Sequence, residues 1–141
     1  LHLKGKVDFN TFQQSSKKYD AMKIYSQAKL CTVLFNRELA RRLAGTNITT
    51  NALHPGIVAT SFANKNTSFG LSLIWSISKL FFISPKKGAA TSIYLASSPD
   101  VEGITGKYFD NKKEKRAAYL SDDVELCKKL WSVSEAFVGK S

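Results

Sequence analysis

A long helix pattern followed directly by a strand pattern constrains the fold of this 141-residue chain more than any other feature. Apolar residues recur about every 3.6 positions over 20–44, which is the period of an α-helix. Asp20 is a residue type favoured at the N-cap, and Gly45 stands where a C-terminal cap belongs. β-Branched residues then predict a strand over 47–54, which Pro55 ends. The sequence therefore predicts a long capped helix that leads directly into a strand.

Three further elements are predicted in the second half of the chain. Ser84 and Pro85 are typical of an N-cap and a first helical residue, and they predict a helix that runs to about residue 97. A short strand is predicted over 104–109. A last helix is predicted to open at Ser121, because the two acids that follow it complement the helix dipole.

Tyr25 and Lys29 lie four residues apart in the first predicted helix, so their side chains share one face. A tyrosine in water titrates near 10 and transfers protons poorly at neutral pH, but a neighbouring cation favours the phenolate. Such a pair suits an acid/base step. Taken alone, a Tyr-x-x-x-Lys pattern more often means a packed ring beside a solvated lysine.

Five local motifs occur in order across nearly the whole chain. They are YSQAKL at 25–30, ELARRL at 38–43, LHPG at 53–56, KGAATS at 87–92 and LWSVS at 130–134. In this order they resemble the short-chain dehydrogenase/reductase (SDR) family, and in particular its retinol dehydrogenase-like branch. The resemblance implies an α/β fold, specifically the C-terminal half of a Rossmann-type doubly wound domain with a parallel sheet.

The resemblance also implies that residues 1–141 are the C-terminal part of a single NAD(P)-binding domain. Its N-terminal half would carry a Gly-rich phosphate loop, and no three of the chain's glycines form G-x-G-x-x-G. Ser15 and Ser16 lie closer to Tyr25 than the family places its catalytic serine. We therefore expect that serine and the loop upstream of Leu1, and we expect the isolated chain to be inactive.

The activity implied by the resemblance is that of an NAD(P)-dependent oxidoreductase. It would interconvert an apolar alcohol, retinol-like or lipid-derived, and its aldehyde or ketone by hydride transfer. Tyr25 would act as the acid/base, and Lys29 would hydrogen-bond the ribose of the nicotinamide. NADP is slightly favoured over NAD by the branch, although the residues that select between them would lie upstream.

The turn after the predicted strand forms a second part of the implied cofactor site, since ligands lie at the carboxyl ends of strands in open α/β sheets. By resemblance, the backbone of Pro55 and Gly56 borders the nicotinamide amide. Val58 would offer a backbone group to the carboxamide, and Thr60 a hydroxyl. His54 is interpreted as a packing or supporting residue. The alternative for these positions is a Pro-Gly turn followed by ordinary surface residues.

A segment over 68–83 combines a narrow polar stripe with apolar residues on the rest of its surface. It is too short and too interrupted to span a bilayer. It is interpreted either as an ordinary packed helix, as a lid over an apolar substrate, or as a surface that contacts a membrane through residues 69–83. The last possibility supports an alternative function, in which the chain is a truncated, inactive fragment that interacts with membranes or proteins.

The net charge of +10 raises the question of nucleic-acid binding. Residues 1–46 hold nine Lys and Arg against three Asp and Glu, so the excess lies near the start. No DNA- or RNA-binding signature accompanies it, and no nucleic-acid partner is expected. A solvated basic face, or attraction to anionic lipid or a phosphorylated cofactor, explains the charge more simply.

The two cysteines, Cys31 and Cys127, do not have a metal-binding or redox spacing. We expect buried thiols in a reducing compartment and no metal site. The expected location is therefore intracellular, at the endoplasmic reticulum or another membrane by family resemblance, and otherwise cytoplasmic. The sequence leaves the oligomeric state open.

Overall fold

The computed structural model describes residues 6–12, 20–56 and 83–139 of the chain. These residues contain three α-helices and three short strands. The helices are α1 (Ala21–Arg42), α2 (Pro85–Ser97) and α3 (Val124–Phe137), and the strands are β1 (Ala52–His54), β2 (Tyr108–Asp110) and β3 (Lys113–Glu114). Within these described residues, none of the helices combines the length and the hydropathy that crossing a bilayer requires.

The chain divides into two compact units. The first consists of Leu1–Ala52, Gly103–Tyr108 and Lys115–Ser141, and the second of Leu53–Glu102 and Phe109–Glu114. Strands β1 and β2 each begin in the first unit and end in the second. The first unit contains α1 and α3, and the second contains α2 and the hairpin turn that follows β2.

Helix α1 begins and ends close to the predicted positions. The side chain of Asp20 accepts a hydrogen bond of 3.0 Å from the Lys23 N–H, which confirms it as the N-cap. Leu43 is the C-cap, and Gly45 follows with a left-handed φ of +84°. The glycine is therefore needed where the chain turns away from the helix, as the sequence indicated.

The core of the first unit lies between α1 and α3. Leu30 and Leu34 of α1 are fully buried, and they pack with Ala118, Cys127 and Leu130. The two leucines are four residues apart, so they form one continuous stripe on the inner face of the helix. Burial of one such side chain contributes about 1.5–3 kcal/mol to folding. This core holds α1 at a fixed orientation against α3.

A second contact between α1 and α3 involves aromatic and charged side chains. The rings of Phe35 and Trp131 stack with their centroids 4.8 Å apart. The guanidinium of Arg42 lies 4.4 Å from the centroid of the Trp131 ring, and it also pairs with Glu135 at 3.8 Å. These contacts extend the α1–α3 interface to the C-terminal end of α1.

Glu38 lies on the same inner face of α1 and is 1% exposed. Its carboxylate accepts hydrogen bonds from Arg41 Nε at 2.9 Å, from a second Arg41 nitrogen at 2.7 Å, and from Arg42 Nε at 2.8 Å. The hydrogen bonds from Arg41 lower the pKa of Glu38, with further lowering by Arg42, although burial opposes them. The helix thus keeps a charged carboxylate in its packed face.

This cluster predicts a pH dependence of stability. Because the pKa of Glu38 is lower in the folded state, its contribution is fully present above the ordinary glutamate pKa of about 4.3. It is lost as the pH falls through the folded pKa. Melting curves between pH 3 and 7 should therefore show wild type more stable than Glu38→Gln near neutrality, with the difference shrinking in acid. A constant difference across this range would contradict the prediction.

The sheet has the strand order β1-β2-β3. The Gly106 N–H donates to the Thr50 carbonyl at 2.7 Å, and the Ala52 N–H donates to the Lys107 carbonyl at 2.9 Å. From the first bond to the second, the residue number increases on both segments, from 50 to 52 and from 106 to 107. Strands β1 and β2 are therefore parallel. Helices alternating with parallel strands confirm the predicted α/β class.

Both predicted strands are longer than the observed ones, and this part of the prediction was wrong. Predicted 47–54 and 104–109 correspond to Ala52–His54 and Tyr108–Asp110. Side chains replace most of the ladder before β1, where the bond from Gly106 to Thr50 joins the two backbones. The Thr50 N–H donates to Thr105 Oγ1 at 3.0 Å, and the Asn51 amide both donates to the Ile104 carbonyl at 2.7 Å and accepts from the Lys107 N–H at 2.9 Å. Regular pairing begins only at Ala52.

Strands β2 and β3 form an antiparallel hairpin that the sequence did not predict. Phe109 pairs with Glu114, and Asp110 pairs with Lys113. The two residues between the strands, Asn111 and Lys112, have left-handed φ values of 49° and 61°. Such a conformation is rare for lysine. It is held by a hydrogen bond of 3.2 Å from the Lys112 N–H to Oγ1 of the buried Thr91 in α2.

Helix α2 begins and ends as predicted, with Ser84 as N-cap accepting from the Lys87 N–H at 3.3 Å. Helix α3 begins three residues later than predicted. Ser121 is buried in a 3-10 helix, where its hydroxyl donates to the Ala118 carbonyl at 2.6 Å, so it does not cap α3. Asp123 is the N-cap instead, and its side chain accepts from the Leu126 N–H at 3.0 Å.

Candidate active site

The side chains of Tyr25 and Lys29 meet on the outer surface of α1. Lys29 Nζ lies 5.2 Å from the centroid of the Tyr25 ring, so the ammonium sits over the ring face. The Tyr25 side chain is 48% exposed, which leaves it open to a bound molecule. The helical spacing alone is responsible for this juxtaposition. The structure thus brings the two predicted catalytic residues together.

Gln27 lies between the two catalytic candidates and joins α1 to the preceding segment through two hydrogen bonds. Its Nε2 donates to Thr11 Oγ1 at 3.1 Å, and its Oε1 accepts from the Asp8 N–H at 3.1 Å. Because both polar atoms of the Gln27 amide are hydrogen-bonded, the turn of α1 that carries Tyr25 is held against the 3-10 helix Phe9–Thr11. The role of this glutamine could not be predicted from the sequence, since an amide within a helix carries no positional signal of its own.

The Pro55-Gly56 turn follows β1 in the second unit. Gly56 has a φ of +81°, and its N–H donates to His54 Nδ1 at 2.9 Å. A Cβ at Gly56 would lie 2.6 Å from Cδ1 of Ile83. The left-handed backbone conformation therefore favours glycine here, and a side chain at this position would also require Cδ1 of Ile83 to move.

A cavity of about 540 Å³ lies beside this turn, entirely within the second unit. The ends of β1 and β2 and the first half of α2 form its walls. Its lining includes His54, Pro55, Gly56, Lys87, Thr91 and Lys112. The cavity is therefore placed where ligands lie in open α/β sheets, outside the carboxyl ends of the strands.

The remaining predicted positions lie outside the described residues. These are Val58 and Thr60 of the implied cofactor site, the serines at 15 and 16, and the segment 69–83 apart from Ile83. Tyr25 and Lys29 belong to the first unit, whereas Pro55 and Gly56 belong to the second. The structure therefore describes the two parts of the predicted site separately.

Both cysteines carry thiols whose pKa is raised, in each case mainly by burial. Cys127 is also a weak donor to the Ser121 carbonyl, with the sulfur 3.8 Å from the oxygen. A raised pKa keeps both thiols protonated at neutral pH, so they are poor nucleophiles. In the described part of the chain, no group of three or more His, Cys, Asp or Glu side chains is arranged to hold a metal ion.

A family model described as enoyl-(acyl carrier protein) reductase matches residues 4–110. The chain belongs to the SDR family. The similar curated proteins include several named retinol dehydrogenases, the branch that the five motifs resemble. The family match also confirms that the chain comes from an oxidoreductase family.

Three curated relatives illustrate the similarity of this SDR chain. Retinol dehydrogenase 14 of Mus musculus is 44% identical over 141 residues, covering 99% of this chain. Retinol dehydrogenase 13 of Homo sapiens is 37% identical over 142 residues, and the WW domain-containing oxidoreductase of Homo sapiens is 35% identical over 135 residues. They match 98% and 95% of this chain, respectively. The chain spans only 42%, 43% and 32% of the lengths of these three relatives.

A solved structure supports the fold. The crystal structure of an uncharacterised protein from Mycobacterium paratuberculosis superimposes with a TM-score of 0.68 and is 24% identical in sequence. The match covers 96% of this SDR chain and 46% of that protein. The predicted Rossmann-type α/β fold is thereby confirmed.

Proposed function

We propose that residues 1–141 form the C-terminal part of a single NAD(P)-binding domain, in an enzyme that interconverts an apolar alcohol and its aldehyde or ketone. The observation that carries this proposal is the position of Lys29 Nζ, 5.2 Å from the centroid of the half-exposed Tyr25 ring. A cation beside an accessible phenol suits proton transfer at a carbon–oxygen bond. The SDR membership supplies the reaction class.

Tyr25 is the proton-transfer group in this proposal. During reduction its hydroxyl donates a proton to the substrate oxygen, and during oxidation the phenolate takes that proton back. The positive charge of Lys29 stabilises the oxyanion that remains on Tyr25 after the proton has left. A bound nicotinamide cofactor supplies or accepts the hydride.

The second unit has features that fit such a cofactor. The cavity beside the Pro55-Gly56 turn, at about 540 Å³, is within the usual size range of small-molecule sites. Lys87 and Lys112 in its lining favour an anionic ligand. By the family resemblance, the residues that would hold the cofactor are Tyr25, Lys29, Pro55, Gly56, Val58 and Thr60. Either NADP or NAD would suit these residues, and the branch resemblance slightly favours NADP.

The substrate class rests on the relatives. Several of them are named retinol dehydrogenases, which supports a retinol-like or lipid-derived alcohol as the substrate. Such a substrate agrees with an intracellular enzyme at the endoplasmic reticulum or another membrane, and otherwise in the cytoplasm. Residues 69–83 would then contact the substrate or the membrane surface. The comparisons do not favour the alternative of an inactive interaction module.

The proposal predicts that Lys29 contributes directly to cofactor binding. Removal of a charged hydrogen-bond donor by Lys29→Ala should raise the dissociation constant for NADPH or NADH by about 10-fold or more in the full-length protein. Fluorescence titration with each reduced cofactor measures this constant. Lys23→Ala is the matched control, because Lys23 is also an exposed lysine of α1 and its capping bond uses only its backbone N–H. Equal dissociation constants for the two variants would refute the role of Lys29.

A further inference from the structure

We infer that His54 is a positioning residue, whose imidazole Nδ1 holds the Pro55-Gly56 turn beside the cofactor side of the site. His54 is the last residue of β1, and its Nδ1 accepts the Gly56 N–H at 2.9 Å. The bond spans two residues, so it closes a small ring between side chain and backbone. Asn and Asp side chains stabilise turns in a similar way.

The turn needs such a bond because its backbone is only partly fixed by its own residues. The ring of Pro55 restricts φ at the first position, but a glycine explores left- and right-handed conformations with similar ease. Gly56 occupies the left-handed region with a φ of +81°. The acceptor on His54 favours this one conformation, which also brings Gly56 against Ile83.

The turn forms part of the wall of the cavity in the second unit. His54, Pro55 and Gly56 all line this cavity of about 540 Å³. The Gly56 N–H is engaged within the turn through its bond to His54. A change in the turn would therefore alter the wall against which, on the proposed function, the nicotinamide lies.

The bond also indicates the tautomer of His54. An Nδ1 atom that accepts a hydrogen bond carries no proton, so in this tautomer the ring proton resides on Nε2. Nδ1 is therefore committed to the Gly56 N–H, and Nε2 remains able to donate.

Two substitutions in the full-length protein test this inference. His54→Ala removes the acceptor, whereas His54→Asn keeps an oxygen able to accept the same N–H. In the ¹⁵N-labelled protein, His54→Ala should raise hydrogen exchange of the Gly56 amide by about 2- to 10-fold, and His54→Asn should restore protection. The imidazole ¹⁵N shifts of wild-type His54 should report the Nε2–H tautomer, with Nδ1 as the hydrogen-bond acceptor.

Cofactor affinity provides the functional measurement. The dissociation constant for NADPH should rise by a similar factor in His54→Ala. The inference would be overturned if hydrogen exchange of the Gly56 amide were unchanged in His54→Ala. It would also be overturned if that exchange changed while the dissociation constant for NADPH did not. The affinity measurement rests on the proposed function. If wild type binds no nicotinamide cofactor, the proposed function fails, and Gly56 exchange alone decides the role of His54.

Discussion

Replacing Tyr25 with phenylalanine should lower kcat/KM of the full-length enzyme by about 10²- to 10⁴-fold, the range expected for loss of a general acid/base. The substitution removes one oxygen atom and leaves the ring that Lys29 covers. Because the side chain is half-exposed, stability should change by no more than about 0.5 kcal/mol. The loss should appear in kcat and kcat/KM alike, since the proton moves only during the reaction.

The assay follows oxidation of NADPH or NADH with an apolar aldehyde, alongside cofactor titration of the same variant. Tyr119→Phe is the matched control, because Tyr119 is also an exposed tyrosine of the first unit. It should retain wild-type rates. If Tyr25→Phe binds cofactor normally and turns over like wild type, Tyr25 is not the proton-transfer group. Equal losses in both variants would indicate a general structural effect instead.

The helix starts marked by local signals could be predicted from the sequence. Asp20 and Ser84 each accept the N–H three residues ahead, and this pairing depends only on the residue type and its immediate neighbours. The spacing of Tyr25 and Lys29 could be predicted for the same reason, since a helix fixes the geometry of residues four apart.

The strand boundaries could not be predicted because distant side chains determine them. The Asn51 amide bonds the Ile104 carbonyl across 53 positions, and it replaces a ladder bond that the β-branched pattern had indicated. The hairpin at 108–114 was missed for a related reason. Lysine is not a turn signal, and Lys112 adopts its left-handed conformation against Thr91, which lies 21 residues earlier in the chain.

In the candidate site, too, local features could be predicted from the sequence and distant contacts could not. Gly56 could be recognised from the Pro-Gly pair, but the close approach of the Ile83 side chain depends on packing across 27 positions of sequence. His54 was interpreted as a packing or supporting residue. Its bond to the Gly56 N–H gives that support a definite form, which the sequence could not reveal because histidine has no strong preference for turns.

The second large effect is expected at Leu34, whose side chain is fully buried between α1 and α3. Leu34→Ala should lower the free energy of unfolding by about 3–5 kcal/mol, from lost burial together with the cavity left behind. Domains of this kind are stable by only about 5–15 kcal/mol, so the loss is a large fraction of the total. Urea unfolding of the full-length protein, followed by circular dichroism, measures the change.

Two further variants distinguish the effect of core packing from a general sensitivity of the protein to substitution. Leu34→Met conserves volume and should cost less than about 1.5 kcal/mol. Ile48→Ala truncates a side chain that is 59% exposed in the same unit, and it should cost about 0.5 kcal/mol or less. If Leu34→Ala costs no more than Ile48→Ala, the α1–α3 core is not packed as described.

The same variant tests how the core supports helix α1, which carries the proposed catalytic residues. Leu34 lies on the face of α1 that packs against α3, and Tyr25 and Lys29 are on the exposed surface of that helix. If the core serves only to keep α1 folded, the activity of Leu34→Ala should fall in proportion to the unfolded fraction, and activity per folded molecule should stay constant. A greater fall would mean that the cavity left by Leu34→Ala lets α1 shift. Leu30 and Leu34 would then fix the position of Tyr25 as well as the stability of the fold.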